Sequence, residues 1–234
     1  NAVTLDMGAG DDAATMDALT TSTVEGSMGD GDDTLSVDGL TTGTVVVDMG
    51  AGDDTVGIAG AATLAAGANI VLTTGAGTNT VTIAETGALD AGVNVIIDGT
   101  GGTDTLALSS TDVSAATLSL TAVETIQIAT GVTTAFSSAQ LSGQSFTMAS
   151  SAGSNGVVSV TNATATAQTV NLSTLTMDQG LGTAVQAVTL TVNGAGDNTI
   201  TGTNAALTVD TITGGAGDDT ISALAGADVI AGGA

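Results

Sequence analysis

The sequence predicts an all-β protein, a parallel β-solenoid (β-helix or β-roll) whose turns are built from Gly and Asp. Three observations predict it. The chain repeats itself at fixed periods. Inside each repeat apolar and polar residues alternate with period two. Glycine also recurs in every window where a helix would have to form, which a helix tolerates poorly.

The repeat comes first. Residues 1–63 divide into three blocks of 21: "NAVTLDMGAGDDAATMDALTT", "STVEGSMGDGDDTLSVDGLTT" and "GTVVVDMGAGDDTVGIAGAAT". Met7, Met28 and Met49 align, as do the pairs Asp11–Asp12, Asp32–Asp33 and Asp53–Asp54. Two blocks of 25 follow, residues 64–88 and 89–113, in which Asn79 and Asp104 stand at the second acidic position. Each block reads strand, Gly-rich turn, strand, loop. Runs such as Val45–Val47, Ile70–Leu72 and Val95–Ile97 precede the turn, and alternation such as Thr80-Val81-Thr82-Ile83 follows it. A unit of ~21 residues cannot bury its own apolar face, so the units must stack, one repeat to a coil.

Three regions are expected. Residues 1–113 form the solenoid of 21- and 25-residue repeats. Residues 114–188 form a Ser/Thr/Ala-rich β region with only two acids, Glu124 and Asp178, and are expected to continue the solenoid. Within them "AFSSAQLSGQ" (135–144) reads as a short helix or a loop. In residues 189–234, "VNGAGDNTI" and "TGGAGDDTI" again stand 21 apart, and "GGAGDDTIS", "ALAGADVIA", "GGA" then repeats every nine residues. The chain opens without Met and stops within a repeat, the pattern expected of a segment of a longer protein.

Composition sets the chemistry. The 234 residues contain 24 acids and no Lys, Arg or His, for a formal charge of −24. Of the acids, 21 are Asp and only Glu25, Glu85 and Glu124 are Glu. Asp is a turn residue and a hard-cation ligand, whereas a solvated helical coat would use Glu and Lys. Phosphate recognition rests on Lys and Arg, so nucleic acid is not a partner. No apolar run approaches the ~20 residues of a membrane span, so no transmembrane segment is expected. His, Cys, Lys, Arg and Tyr are all absent, which removes most general bases and nucleophile partners; the chain is not expected to be an enzyme.

The aspartate pairs then pose a problem. Equivalent residues of adjacent coils lie ~4.8 Å apart. Unit charges at that distance repel by ~0.9 kcal/mol in water and ~3.5 kcal/mol at an effective dielectric of 20. Stacked pairs therefore need either a counter-ion or turn caps made to backbone amides. Calcium suits the first reading. It takes carboxylate and carbonyl oxygens together, and glycine lets the backbone present its carbonyls. Magnesium demands stricter octahedral geometry, and zinc or copper would want His or Cys. The candidate ligands are Asp11, Asp12, Asp32, Asp33, Asp53, Asp54, Asp98, Asp104, Asp197 and Asp218, with the turns at Gly10, Gly31 and Gly52. Several Ca2+ ions are expected.

"GGAGDDTIS" and "AGADVIAGG" at 214–233 resemble the RTX nonapeptide, G-G-x-G-x-D-x-aliphatic-x, whose tandem copies wind into a calcium-loaded parallel β-roll. The resemblance implies ligation by Asp219 and Asp228, with carbonyls around Gly215, Gly217 and Gly226. Among RTX relatives the texture is similar to calcium-binding bacterial surface-layer proteins: rich in Ala, Thr, Gly and Val, poor in basic residues, with isolated "GAGDDT" turns. "LTAVETIQIA" (120–129) looks like a strand phrase of such proteins. The resemblance implies an extracellular or cell-surface location reached by type I secretion, and folding outside the cell when calcium binds. The function expected is structural: a self-assembling array, sheet or filament of surface-layer type, rigidified by calcium. The alternative is an extender or ligand-binding region of a large RTX adhesin. Partners expected are copies of the chain itself, as homo-oligomer, sheet or filament, with cell-surface polysaccharide as a second candidate.

Overall fold

The computed structural model describes residues 2–17, 19–60, 64–85, 87–151, 157–162, 166–178, 187–192, 196–206 and 208–233. The chain divides into two units, residues 1–126 and 127–234.

The first unit contains β1 (Ala2–Ala9), β2 (Ala13–Met16), β3 (Thr23–Asp30), β4 (Thr34–Leu40), β5 (Thr44–Ala51), β6 (Thr55–Gly60), β7 (Asn69–Thr73), β8 (Thr78–Ile83), β9 (Asn94–Asp98), β10 (Thr103–Leu108) and β11 (Thr117–Thr121); β12 (Thr125–Ile128) follows. The odd-numbered strands β1 to β11 lie side by side in one parallel sheet, and β2, β4, β6, β8 and β10 in a second. The sequence repeat is therefore the coil. Val24 pairs with Val45, Val45 with Ile70 and Ile70 with Val95. On the other sheet Leu35, Val56, Val81 and Leu106 form the matching column.

These inward columns are the core. Val24, Leu35, Val45, Ile58, Ile70, Ile83 and Leu106 are fully buried. Each such side chain contributes ~1.5–3 kcal/mol by leaving water, so a thin core without aromatics suffices. The "continuous" apolar runs turn out to be one-sided. Val46 and Ile96 face outward and are 41% and 37% exposed; with Val71 between them they form an outer column on the first sheet.

The second unit contains β13 (Thr133–Ser137), α1 (Ser138–Leu141), β14 (Thr147–Ser150), β15 (Val157–Asn162), β16 (Thr169–Asn171), β17 (Thr176–Met177), β18 (Ala187–Val192), β19 (Thr199–Thr201), β20 (Val209–Thr213), β21 (Thr220–Ser222) and β22 (Val229–Ala231). Its parallel sheets run β13-β15-β18-β20-β22 and β16-β19-β21, and β14 pairs with β17. The acid-poor centre thus keeps the parallel ladder: Phe136, Val160, Leu190 and Ile212 form one buried column. The stretch 135–144 is both strand and helix, ending β13 and supplying the single turn of α1, where Gln140 accepts from the Ser137 amide at 2.7 Å.

The nine-residue repeats behave differently from the longer ones. Ile212 pairs with Ile230, while Ile221, midway between them in sequence, pairs with Ile200 in the other sheet. Two nonapeptides therefore make one coil, and equivalent positions of consecutive nonapeptides lie in different sheets.

Candidate metal centre

Each Gly-rich turn ends in two aspartates that are treated differently by the fold. The first of each pair, Asp11, Asp32 and Asp53, is exposed; of the second, Asp33 and Asp54 are buried and Asp12 is half-buried. A strand that begins straight after the turn sends alternate residues out and in, so adjacent aspartates must part.

The exposed row is linked in one direction. Oδ1 of Asp11 accepts the amide of Asp32 at 3.0 Å, Oδ1 of Asp32 that of Asp53 at 2.8 Å, and Oδ1 of Asp53 that of Thr78 at 2.7 Å. The inner row is linked in the other. The amide of Asp12 donates to Asp33 Oδ1 at 2.8 Å, that of Asp33 to Asp54 Oδ1 at 2.8 Å, and that of Asp54 to Asn79 Oδ1 at 2.9 Å. Asn79 Nδ2 then donates to Asp104 Oδ1 at 3.0 Å, and the Asp104 amide to Glu124 Oε2 at 2.7 Å. The turn-cap reading thus accounts for one oxygen of Asp11, Asp32, Asp53, Asp33 and Asp54: charge-assisted bonds to the neighbouring coil's amides join the stack.

The other oxygen is not accounted for. Oδ2 of Asp12, Asp33, Asp54, Asp104 and Asp219 is buried with no hydrogen-bond partner. An acceptor buried without a donor costs ~1–3 kcal/mol, more when charged. Burial raises the Asp54 carboxyl to about 6, with the charges of Asp33, Asp32 and Asp53 adding to it. Burial likewise raises Asp104, helped by Glu124 and Asp98. These oxygens fit a hard cation. Among the described residues no three or more acidic side chains converge on one point, so backbone carbonyls must complete any shell. The turn glycines stack closely on one another's carbonyls: a Cβ built on Gly31 would lie 2.4 Å from the Gly10 oxygen, and one on Gly52 2.1 Å from that of Gly31. All three glycines have positive φ, at +116°, +139° and +144°.

Asp98 is exposed and caps its own turn. Its Oδ1 accepts from the Thr100 amide at 3.1 Å and hydroxyl at 2.6 Å, and those bonds hold its carboxyl below the ordinary value.

In the second unit Asn198 holds the buried position equivalent to the inner row. Its side-chain Oδ1 accepts the Gln168 amide at 2.9 Å, and its Nδ2 donates to Asp219 Oδ1 at 2.8 Å and to the Gly214 carbonyl at 2.9 Å. Asp197 Oδ1 accepts the amide of exposed Asp218 at 2.9 Å. The orphaned Oδ2 of Asp219 rests over Gly214, where a Cβ would lie 2.4 Å from it. Gly215, Gly217 and Gly226 all have positive φ, at +99°, +122° and +143°. Asp228 is not the coil-to-coil neighbour of Asp219: its Oδ1 accepts the amide of Asp210 at 3.0 Å, 18 residues back.

Asp210 was not among the candidates from sequence. It sits in an inward column with Val158 and Val188, 1% exposed, and accepts from the Thr203 amide at 2.6 Å and from the Thr203 hydroxyl. Burial raises it to about 6, and Asp228 adds to the rise. The signal was available, because Asp210 stands nine residues before Asp219 and 18 before Asp228. Glu124 was missed because the register that makes it the end of the inner row breaks the 25-residue spacing. Of "NGAGDNTIT" (193–201), residues 193–195 lie outside the described residues.

No curated protein and no solved structure matches the chain. Residues 208–234 match the family described as RTX calcium-binding nonapeptide repeat, four copies. That stretch takes in Asp210, Asp219 and Asp228 together with the two-to-a-coil nonapeptides, so residues 208–234 are repeats of the RTX calcium-binding kind.

Proposed function

We propose that the chain is a structural module of an extracellular array, sheet or filament of surface-layer type, folded and stiffened by several calcium ions and assembled from copies of itself. The observation that carries this reading is the file of buried, donor-less carboxylate oxygens stacked coil on coil in a chain with no cation of its own. Such a stack is self-repelling in calcium-poor surroundings and cohesive when calcium is plentiful, so metal binding and folding are coupled. Export by type I secretion into a calcium-rich medium fits that coupling. The charge of −24 keeps the unfolded chain soluble. The role is structural rather than catalytic.

The test is electron microscopy of the purified chain with millimolar calcium and again after chelation, with circular dichroism on the same samples. Order and assembly that vanish together on chelation, and return with calcium but not magnesium, support the reading. A chain that stays folded and assembled without calcium overturns it. A chain that folds with calcium yet stays monomeric overturns the array and favours an adhesin extender.

A further inference from the structure

The inner row of the first unit, Asp12–Asp33–Asp54–Asn79–Asp104, lies outside the stretch that matches the RTX repeat. At each step the position's second side-chain atom differs by residue type, and two asparagines show what that atom meets. Asn79 Nδ2 donates to Asp104 Oδ1, the carboxylate of the following coil. Asn198 Nδ2 does the same to Asp219 Oδ1, while its backbone amide donates to that same oxygen at 2.9 Å. The amides of Asp12, Asp33 and Asp54 make that same backbone bond, so the three residues stand in the same register. In them the atom equivalent to Nδ2 is Oδ2, an acceptor, and it has no donor. Asp33 and Asp54 are each 1% exposed, so bulk solvent does not reach these oxygens. An acceptor placed where two asparagines supply an N–H needs a cation or a bound proton in the N–H's place, and no side chain in the protein carries a positive charge.

We infer that the three steps from Asp12 to Asn79 each take a hard divalent cation, calcium by its tolerance of mixed carboxylate and carbonyl oxygens, and that Asn79 ends the file by putting its own N–H where the next ion would sit. Asparagine and a calcium ion are thus interchangeable devices along one row. The inference rests on the calcium reading above, but concerns residues that the family match does not reach.

The experiment uses the full chain. Hydrogen exchange read by mass spectrometry separates peptides spanning 12–58 from those spanning 208–233, with chelator, with calcium and with magnesium at neutral pH; calorimetry counts the calcium ions. In the natural sequence, protection across 12–58 is expected to rise at least tenfold with calcium and not with magnesium. In the triple variant Asp12→Asn, Asp33→Asn, Asp54→Asn, protection there is expected without calcium and unchanged by it, with three fewer ions bound, while 208–233 still responds. Asn79→Asp is expected to add one ion. If 12–58 in the natural sequence is equally protected with chelator and with calcium, the inference is overturned, because a shared proton then fills the steps. That outcome is read from the natural sequence and does not depend on the triple variant folding. An unresponsive 208–233 instead overturns the broader calcium reading.

Discussion

The amide of Asp33 and the carboxylate of Asp54, 21 residues apart in sequence, are joined at 2.8 Å, and both residues are buried. The bond is a coil-to-coil staple. Asp54→Ala leaves the Asp33 amide buried without an acceptor and is expected to cost ~1.5–3 kcal/mol. Asp53→Ala removes the partner of the Thr78 amide at an exposed site, where water substitutes, and is expected to cost within ~0.5 kcal/mol. Urea unfolding of the two variants side by side checks the contrast.

Stability without metal is expected to fall as pH rises. Asp54 and Asp210 are raised from 3.8 to about 6 by burial. Between those values the folded chain holds protons that the unfolded chain has released. Their contribution is therefore fully present below about pH 4 and is lost as pH passes through about 6. Each shift of this size is worth up to ~3 kcal/mol. Asp104, raised by the same cause, acts in the same direction. The urea midpoint of the chelated chain is expected to be higher at pH 4.5 than at pH 7.5. Calcium reverses the order, since it competes with protons for the same oxygens.

Two glycines test the stacking geometry. Gly50 has φ +98°, and a Cβ there would lie 1.7 Å from the Gly29 carbonyl of the neighbouring coil. Gly50→Ala is expected to destabilise by ~2–4 kcal/mol, through the left-handed backbone and the clash together. Gly57 lies on the outer face of β6 with nothing within 4 Å of its Cβ position. Gly57→Ala is expected to be neutral or to stabilise by up to ~1 kcal/mol, by stiffening the unfolded chain. Thermal melts under matched calcium resolve the difference.

In the RTX stretch, Asp219→Ala removes the acceptor of both Asn198 donors and the orphaned oxygen over Gly214. The calcium concentration for half-maximal folding of that segment is expected to rise tenfold or more, a loss of at least ~1.4 kcal/mol. Calcium titration followed by hydrogen exchange on peptides 208–233 measures it.

Much of the fold was legible because a solenoid writes its register into the sequence. The 21- and 25-residue offsets are the offsets of the paired strands, so aligning Val45 with Ile70 and Val95 already named a core column. The site was legible as residue types at fixed turns. What the sequence could not show was the division of labour within each pair. Whether Asp53 or Asp54 turns inward depends on the phase of the strand after the turn, and two adjacent identical residues hide that phase. The role of backbone amides was equally hidden, because an amide carries no residue label. Asp210 escaped notice for a different reason. Its neighbours "LTVDTIT" lack the glycines that mark a metal turn, and the link to Asp228 appears only once two nonapeptides are known to share a coil.

The two aspartate rows point opposite ways along the stack, and this has a mechanical meaning. In the outer row each carboxylate grips the coil after it; in the inner row each grips the coil before it. Both rows cross the same gap between coils, so separating two coils strains bonds of both rows at once. Opening a joint therefore means breaking two charge-assisted bonds together, one in which each coil supplies the carboxylate. Such doubled joints resist the parting of one coil from the next on both the exposed and the buried side of the turn.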